Sequence, residues 1–261
     1  MKKRGQENRF YASYNDDFIE SSNQNYKIPG GYRWLRLDIR SRFLSGLIYG
    51  VAIIFANVYC RLCLHISYKN GKVLRKAKKT GGFIYCNHTQ PMGDVFTPAL
   101  PALPNRIYTV VGPANLGISG IGKILPYLGA LPIPDTVDGM RQFSEAMEYR
   151  LKQNRFVVIY PEAHVWEYYT GIRPFPQTSF KYPVKYNKPV YCMTSTYQYR
   201  GKGKKPRTTV YVDGPFYPDK SISTKEQTEK LHKAVYECMK MRSGNSNYEY
   251  IRYEAKKVAE E

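Results

Sequence analysis

The chain has 261 residues, 43% of them hydrophobic, which is enough for a sizeable core and excludes a wholly disordered protein. Its formal net charge of +19 points to a polyanionic partner: nucleic acid, an anionic membrane face or a phosphorylated substrate. The five cysteines are odd in number and scattered, which is typical of a reduced, cytoplasmic protein and argues against a disulfide framework.

The N-terminal part of the chain predicts a polar arm followed by a membrane-docking segment. Residues 1–30 are polar and carry no secretory signal, whereas residues 31–67 contain an uncharged run from Phe43 to Cys60. This run is close to the lower length limit for a spanning helix, about 17 residues, and a helix buried in the core is the alternative. The run follows basic and aromatic residues: Arg33, Trp34, Arg36, Arg40 and Arg42. Such a lead-in favours a peripheral or re-entrant position on the cytoplasmic side of the cell membrane.

Two cysteines at the end of this run form a C-x-x-C pattern, Cys60 and Cys63. A structural zinc site normally needs four ligands, and the sequence offers no second ligand pair nearby. We therefore expect these two thiols to be buried, and we expect no metal site.

Residues 68–261 predict a domain of the α/β class, because short apolar runs alternate with helical patterns. The predicted strands are Phe83–Cys86, Ile107–Val111, Phe156–Tyr160, Val190–Thr194 and Thr208–Val212. The predicted helices cover 136–153, capped by Asp135 or Thr136, and 224–242. In the first helix the apolar positions recur at helical spacing: Met140, Phe143, Met147 and Leu151.

Polar residues follow the first of these strands directly. Asn87 and His88 come at its end, and Asp94 follows within the same loop. The carboxyl ends of strands are the usual place for an active site in an α/β sheet. Histidine suits proton removal at neutral pH, and an aspartate bonded to its other nitrogen would orient the ring. No Ser or Cys is placed as a nucleophile, so we predict that His88 activates the hydroxyl of the substrate; a histidine that merely bonds a loop carbonyl is the alternative.

Two later segments repeat this pattern of a strand followed by polar residues: Tyr160-Pro161-Glu162-Ala163-His164 and Val212-Asp213-Gly214-Pro215. Between them lie Arg173-Pro174-Phe175 and a strand that opens at Lys188-Pro189-Val190. In this order the segments resemble the glycerolipid acyltransferase family, the lysophosphatidic acid acyltransferases in particular. That family has an Asn-His-x4-Asp block, a Gly-containing block ending in Arg, a Phe-Pro-Glu-Gly-Thr-Arg block and a Val-Pro strand. The resemblance covers about residues 44–215.

The resemblance implies a mixed, largely parallel sheet flanked by helices, with an N-terminal helical segment that docks on the membrane. It also implies transfer of a fatty acyl group from acyl-CoA or acyl carrier protein to a hydroxyl of a lysophospholipid such as lysophosphatidate. These donors are co-substrates, and no other cofactor is implied. His88 would deprotonate the acceptor hydroxyl and Asp94 would orient His88. Asn87 and Glu162 would contribute to the acceptor site.

The sequence departs from the family pattern at three places. Five residues, not four, separate His88 from Asp94. The block around Glu162 lacks the usual Gly and Arg, and the block Gly129–Asp135 ends in Asp where Arg is usual. The missing arginines would bind the acceptor phosphate, and the residues that could replace them are Arg141, His164 and Arg173. For Arg173, the alternative to phosphate binding is a solvated loop charge. For the acceptor, the alternative to a lysophospholipid is a glycolipid or a polyol.

Two other classes of protein stay open at this point. A nucleic-acid-binding protein would explain the charge, but the Lys and Arg residues are scattered and no recognition motif is present, so we expect no nucleic-acid partner. An inactive, lipid-binding relative of the acyltransferases is the second alternative. Membrane lipid and the acyl donor are the expected partners, and the sequence leaves the oligomeric state open.

Overall fold

A seven-stranded sheet forms the centre of the protein in a computed structural model, which describes residues 3–19, 23 and 25–256. In chain order, the strands of the described chain are β1 (Lys3–Tyr11), β2 (Ile66–Lys69), β3 (Gly82–Cys86), β4 (Ile107–Val111), β5 (Ala130–Pro132), β6 (Phe156–Ile159), β7 (Val190–Gln198), β8 (Arg207–Phe216) and β9 (Tyr248–Ala255). The central sheet consists of β2 to β8. The helices are α1 (Ile39–Val58), α2 (Lys72–Lys76), α3 (Gly93–Phe96), α4 (Ala99–Ala102), α5 (Leu125–Leu128), α6 (Val137–Lys152), α7 (Lys181–Tyr186) and α8 (Thr224–Ser243).

The order of strands in this sheet is β2-β8-β7-β3-β6-β4-β5. Only the β7–β8 pairing is antiparallel; the other five pairings in the sheet are parallel. The prediction of a mixed, largely parallel sheet is therefore confirmed. All five predicted strands are present, and β7 and β8 extend beyond their predicted ends.

Helices cover both faces of the sheet, which explains why its central strands are apolar without alternation. In β3, Phe83 and Tyr85 pack on one side with residues of α6 and α8, while Ile84 and Cys86 pack on the other side with α2 and α4. Every residue of β3 and β6 is buried. The two clusters hold the carboxyl end of β3 in place, where the candidate active site begins.

The two predicted helices are present as α6 and α8. Thr136 is the N-cap of α6, and its side chain accepts the Gly139 N–H at 3.1 Å. The last three apolar positions of the predicted pattern are buried: Phe143, Met147 and Leu151. Met140, the first position of that pattern, is exposed instead.

The apolar run forms α1, which continues into a π-helical turn over Tyr59–Cys63. The combined helix, Ile39–Cys63, has 25 residues, and its most apolar 18-residue window has a mean hydropathy of 1.9. It is therefore long and apolar enough to dock on or cross a membrane. Only 11% of its most apolar window is buried, so the alternative of a core helix is wrong. The expectation for Cys63 is also wrong: Cys60 is buried, but Cys63 is exposed.

One face of α1 exposes large apolar side chains at helical spacing. These side chains are Ile39, Phe43, Leu47, Val51, Ile54, Phe55 and Val58, and Leu62 continues the same row in the π-helical turn. The opposite face is held to the domain: the Ser45 hydroxyl donates to the Tyr127 carbonyl at 2.7 Å, and the Tyr49 hydroxyl accepts the Ile107 N–H at 3.3 Å. A helix anchored on one side and apolar on the other fits a position at a membrane surface.

The N-terminal arm contains a strand that the sequence analysis did not predict. β1 pairs in parallel with β9, with Arg9 opposite Tyr253, to form a separate two-stranded sheet. The chain after β1 then passes over the loop that follows β6, where Trp166 packs between Tyr11 and Tyr253, with ring centroids 4.8 Å away on each side. The arm therefore covers one of the loops that form the candidate site.

Candidate active site

Asn87 anchors the turn after β3 to the neighbouring strand. Its side-chain oxygen accepts the N–H of Ser195 at 2.8 Å, and its amide donates to the carbonyl of the same residue at 3.2 Å. Because Ser195 belongs to β7, these two bonds extend the hydrogen bonding of the sheet beyond the end of β3. His88 therefore leaves the sheet from a fixed position.

His88 and Asp94 form a direct pair, with Nδ1 2.7 Å from Oδ2. The same carboxylate oxygen accepts the backbone N–H groups of Thr89 and Gln90, both at 2.9 Å. An ionised carboxylate only accepts, so Nδ1 of His88 donates and Nε2 keeps its lone pair. The side chain of His88 is 20% exposed and that of Asp94 is 4% exposed, so a substrate can reach the ring while the carboxylate stays behind it.

A tight turn accommodates the additional residue between His88 and Asp94. The Asp94 N–H donates to the Gln90 carbonyl at 3.0 Å, and α3 begins here. A Cβ at Gly93 would lie 2.1 Å from Oε1 of Gln90 and 2.8 Å from Cδ1 of Leu64, so a larger residue would displace both neighbours. The longer spacing is therefore compatible with the His–Asp contact.

Tyr160 packs against this pair and was missed in the sequence analysis. Its ring lies against the ring of His88 with centroids 4.4 Å apart, and its hydroxyl donates to the Asp94 carbonyl at 2.5 Å. Burial raises the pKa of this phenol well above its ordinary value, so the hydroxyl stays a donor. The sequence feature that could have identified Tyr160 is its position directly after β6. This strand pairs in parallel with β3, so the two strands have their carboxyl ends on the same side.

Glu162 connects the two loops of the site. One carboxylate oxygen accepts the His88 N–H at 2.9 Å, and the other accepts the Arg173 N–H at 2.8 Å. The Glu162 carboxylate is buried, which raises its pKa, while the charge of Arg173 acts in the opposite direction. With no exposed side-chain surface, Glu162 is placed to hold the His88 backbone and not to touch a ligand.

Arg173 is buried, contrary to the alternative of a solvated loop charge: its side chain is 1% exposed. Its guanidinium lies 3.3 Å from Oε2 of Glu162, donates to the carbonyls of Tyr14 and His164, and stacks on the Trp166 ring. These contacts occupy both Nη atoms, and Nε is buried with no hydrogen-bond partner among the described residues. The guanidinium as a whole has almost no surface that a phosphate could reach. Arg173 therefore joins the loop after β6 to the N-terminal arm.

His164 lies at the outer side of this loop. Its Nδ1 is 3.2 Å from Oδ2 of Asp17, and its ring is partly exposed. The indole N–H of Trp166 donates to the Asp16 carbonyl at 2.8 Å, which ties the same loop to the arm a second time. The arm thus fixes the loop that carries Glu162.

Arg141 lies on α6 and is not drawn into the His88 site. Its side chain is 62% exposed, and its guanidinium pairs with Asp138 at 2.7 Å and with Glu145 at 2.8 Å, both on the same helix. The structure therefore brings four of the predicted residues together around one loop: Asn87, His88, Asp94 and Glu162. Arg173 contacts Glu162 in the interior, and His164 lies at the outer side of the loop after β6. Arg141 lies on α6, outside this group.

Within the described ranges, one group of side chains has the ligand types for a metal ion. Potential ligand atoms of Cys192, Asp213 and Cys238 lie within 4.8 Å of one another. Both carboxylate oxygens of Asp213 already accept from Arg242, at 2.9 and 2.5 Å. Two thiols and a committed carboxylate are fewer ligands than a structural zinc site normally has.

Comparison with protein-family profiles and with curated proteins gives no match. Among solved structures, the protein is similar to the 1-acyl-sn-glycerophosphate (LPA) acyltransferase PlsC from Thermotoga maritima, with a TM-score of 0.46 and 17% sequence identity. That match covers 79% of this chain and 98% of the other. The similarity concerns the path of the chain and by itself assigns no activity.

Proposed function

We propose that this protein is a membrane-associated O-acyltransferase that moves a fatty acyl group from acyl-CoA or acyl carrier protein to a hydroxyl of a lysolipid. The observation that carries this proposal is the His88–Asp94 pair, whose partly exposed imidazole lies in the loop that leads to α3. Phe96 of α3 in turn packs on Phe55 of the exposed apolar helix α1. The order of motifs along the chain, which resembles that of the glycerolipid acyltransferases, supports it.

The proposed reaction uses His88 as a general base. Nε2 takes the proton of the acceptor hydroxyl as its oxygen attacks the thioester carbonyl, and the carbon–sulfur bond then breaks to release the thiolate. The imidazolium returns the proton to this leaving group, so an ester and a thiol are formed. Asp94 stabilises the imidazolium and holds the tautomer in which Nε2 is free.

We assign Glu162, Asn87 and Arg173 to positioning roles. All three are buried, and the hydrogen bonds that their side chains make go to backbone groups or to each other. Glu162 fixes the backbone of His88, and Arg173 holds Glu162. Tyr160 limits the movement of the His88 ring and of the Asp94 backbone.

An apolar path joins α1 to the loop of His88. Phe96, at the end of α3, packs on Phe55 and Tyr59 with ring centroids 5.5 and 6.1 Å away. Met92 and Val95, on either side of Asp94 in the sequence, are exposed. An acyl chain that leaves a bilayer beside α1 can therefore approach the His88 loop along apolar side chains.

The positions of Arg173 and Arg141 bear on which class of acceptor the protein uses. Arg173 is buried against Glu162, and Arg141 is exposed and paired on α6. Neither of these two candidates is free to bind an acceptor phosphate beside His88. This weakens the case for lysophosphatidate as the acceptor and favours the alternative, a glycolipid or polyol hydroxyl.

A direct test incubates the purified protein with radiolabelled acyl-CoA or acyl carrier protein and a panel of lysolipids, glycolipids and polyols. We expect one class of acceptor to gain the label in an ester bond, as identified by mass spectrometry. Labelled free fatty acid as the single product, whatever the acceptor, would refute acyl transfer.

Cys86 should be dispensable for activity. It lies near His88, but burial and the nearby charge of Asp94 raise the pKa of its thiol well above the ordinary value, so it is protonated and a poor nucleophile. A Cys86→Ala variant should keep turnover within a few-fold of wild type. Intact-protein mass spectrometry during turnover should detect no acyl adduct, and an adduct on Cys86 would instead establish a covalent mechanism.

The exposed face of α1 should hold the protein on membranes by a force that salt does not weaken. Val51 and Ile54 are exposed on this face, and full burial of each side chain is worth about 1.5–3 kcal/mol. A Val51→Glu, Ile54→Glu variant should therefore partition onto membranes at least roughly a hundredfold less than wild type. Vesicle flotation at low and high salt measures this effect.

The matched control places the same charge on exposed apolar positions outside α1, Tyr217→Glu and Met241→Glu. This control should bind as wild type does. Wild-type protein should stay bound in high salt and come off in detergent. Complete release by salt would mean that the basic residues alone hold the protein.

A further inference from the structure

A pocket rich in arginine lies near the amino ends of the parallel strands, whereas His88 lies near their carboxyl ends. Its volume is about 190 Å³, well above the ~10–15 Å³ that one water molecule needs. Arg106 directly precedes β4 and Arg155 directly precedes β6, whereas His88 follows the carboxyl end of the parallel strand β3. The length of these strands separates the two sites by roughly 15–20 Å.

The lining of this pocket carries positive charge only. None of its described lining residues is Asp or Glu, and six are arginines: Arg33, Arg36, Arg42, Arg106, Arg150 and Arg155. Asp38 lies near Arg33, but its carboxylate caps α1 by accepting the Ser41 N–H. Like charges so close together repel, so the pocket gains from an anion that lies between them.

Stacking on aromatic rings does not fully account for these arginines. The Arg106 guanidinium lies 4.4 Å from the Tyr49 ring and 5.3 Å from the Tyr108 ring, and Arg150 lies 4.5 Å from Tyr108. Rings contact only the faces of the guanidinium groups, so the in-plane N–H donors need other partners. Nη2 of Arg106 donates to Oγ of Ser45 at 2.8 Å and to the Tyr127 carbonyl. Nε of Arg106 and Nε of Arg150 are buried without a hydrogen-bond partner in the described part of the chain. An anion would supply the missing acceptors.

The chemistry and the position of the pocket indicate one kind of anion. Guanidinium groups bind phosphate oxygens in pairs, and the rings hold two of these groups in place. The pocket includes Ser41 and Ser45, from the first turns of α1 on its domain-facing side, and Ile39 and Phe43 begin the exposed apolar face in the same turns. A ligand with a phosphate at one end and acyl chains at the other matches a basic pocket next to an apolar helix. We propose that the arginine pocket binds the terminal phosphate of a membrane lipid of the phosphatidate type.

This proposal does not depend on acyl transfer, because binding is measured without turnover. Full-length protein is floated with phosphatidylcholine vesicles that contain either phosphatidate or phosphatidylglycerol, at matched surface charge. We expect wild-type protein to prefer phosphatidate. In the Arg150→Gln, Arg155→Gln variant the affinity for phosphatidate vesicles should fall about 10- to 100-fold, and the preference should disappear.

The matched control removes two positive charges from exposed positions outside the pocket, Lys152→Gln and Lys233→Gln. This control should keep the preference for phosphatidate. Equal binding of wild type to both kinds of vesicle would overturn the proposal, and so would an undiminished preference in the arginine variant. If the pocket instead binds glycerol 3-phosphate in solution without any vesicle preference, the ligand is a soluble phosphate ester and the lipid assignment is wrong.

A measurement on the wild-type protein covers the case in which the arginine variant does not fold. Phosphatidate with a photoreactive group next to its phosphate is cross-linked to the protein in vesicles, and the labelled peptides are identified. We expect labels on peptides from 32–45 and 149–155. Labels confined to the peptides around His88 would overturn a separate lipid site.

Discussion

Replacing His88 with alanine should reduce acyl transfer to background while the fold stays intact. General-base catalysis is typically worth about 10²–10⁴-fold, and His88 is the group that the proposed mechanism uses for it. The effect on stability should be small, because the ring is partly exposed and packs mainly on Tyr160. Initial rates with the best acceptor and a thermal melt of the same sample measure the two effects separately.

Two further variants make this result specific. His65→Asn removes a histidine outside the site, at a residue with a φ of 49° that asparagine tolerates, and should leave the rate nearly unchanged. Asp94→Asn should lower the rate less than His88→Ala does, because the base remains but its tautomer and its charged form lose their support. A His88→Ala protein that is folded and turns over near the wild-type rate would exclude His88 as the base.

Replacing Glu162 with alanine should destabilise the protein by about 3–5 kcal/mol, because Arg173 would keep a buried charge without its partner. The backbone N–H groups of His88 and Arg173 would lose their acceptor as well. Urea unfolding, followed by tryptophan fluorescence, measures the change, and Trp166 beside Arg173 reports on this region directly.

Glu145→Ala is the matched control for this experiment. It removes a carboxylate that also pairs with an arginine, Arg141, but on the exposed face of α6. Exposed pairs contribute little, so the urea midpoint should hardly move. Equal effects of the two substitutions would mean that the buried pair does not hold the loop as we describe.

The sheet and the His88 pair could be predicted from the sequence because their signals are local. β3 and β6 are short apolar runs, each followed directly by polar residues, and this pattern marks a strand covered on both faces. The proximity of His88 and Asp94 follows from their closeness along the chain. The sequence also predicted the apolar helix α1, through an uncharged run that follows a basic segment.

Other features depend on contacts between distant parts of the chain, which a single sequence does not display. β1 has no apolar residue from Lys3 to Arg9, and its partner β9 lies far away along the chain. The burial of Arg173 results from Glu162, Trp166 and the Tyr14 carbonyl, which come together only in the fold. The arginine pocket likewise combines the segment before α1 with residues that precede β4 and β6.

The central claim is that an acyl group passes directly from a thioester to a hydroxyl with His88 as the base. The most direct measurement quantifies thiol release and ester formation in the same reaction, with and without acceptor, for wild type and His88→Ala. We predict equal amounts of thiol and ester from wild type, no thiol without acceptor, and neither product from His88→Ala. Thiol release without acceptor, or ester formation by His88→Ala at the wild-type rate, would contradict the claim.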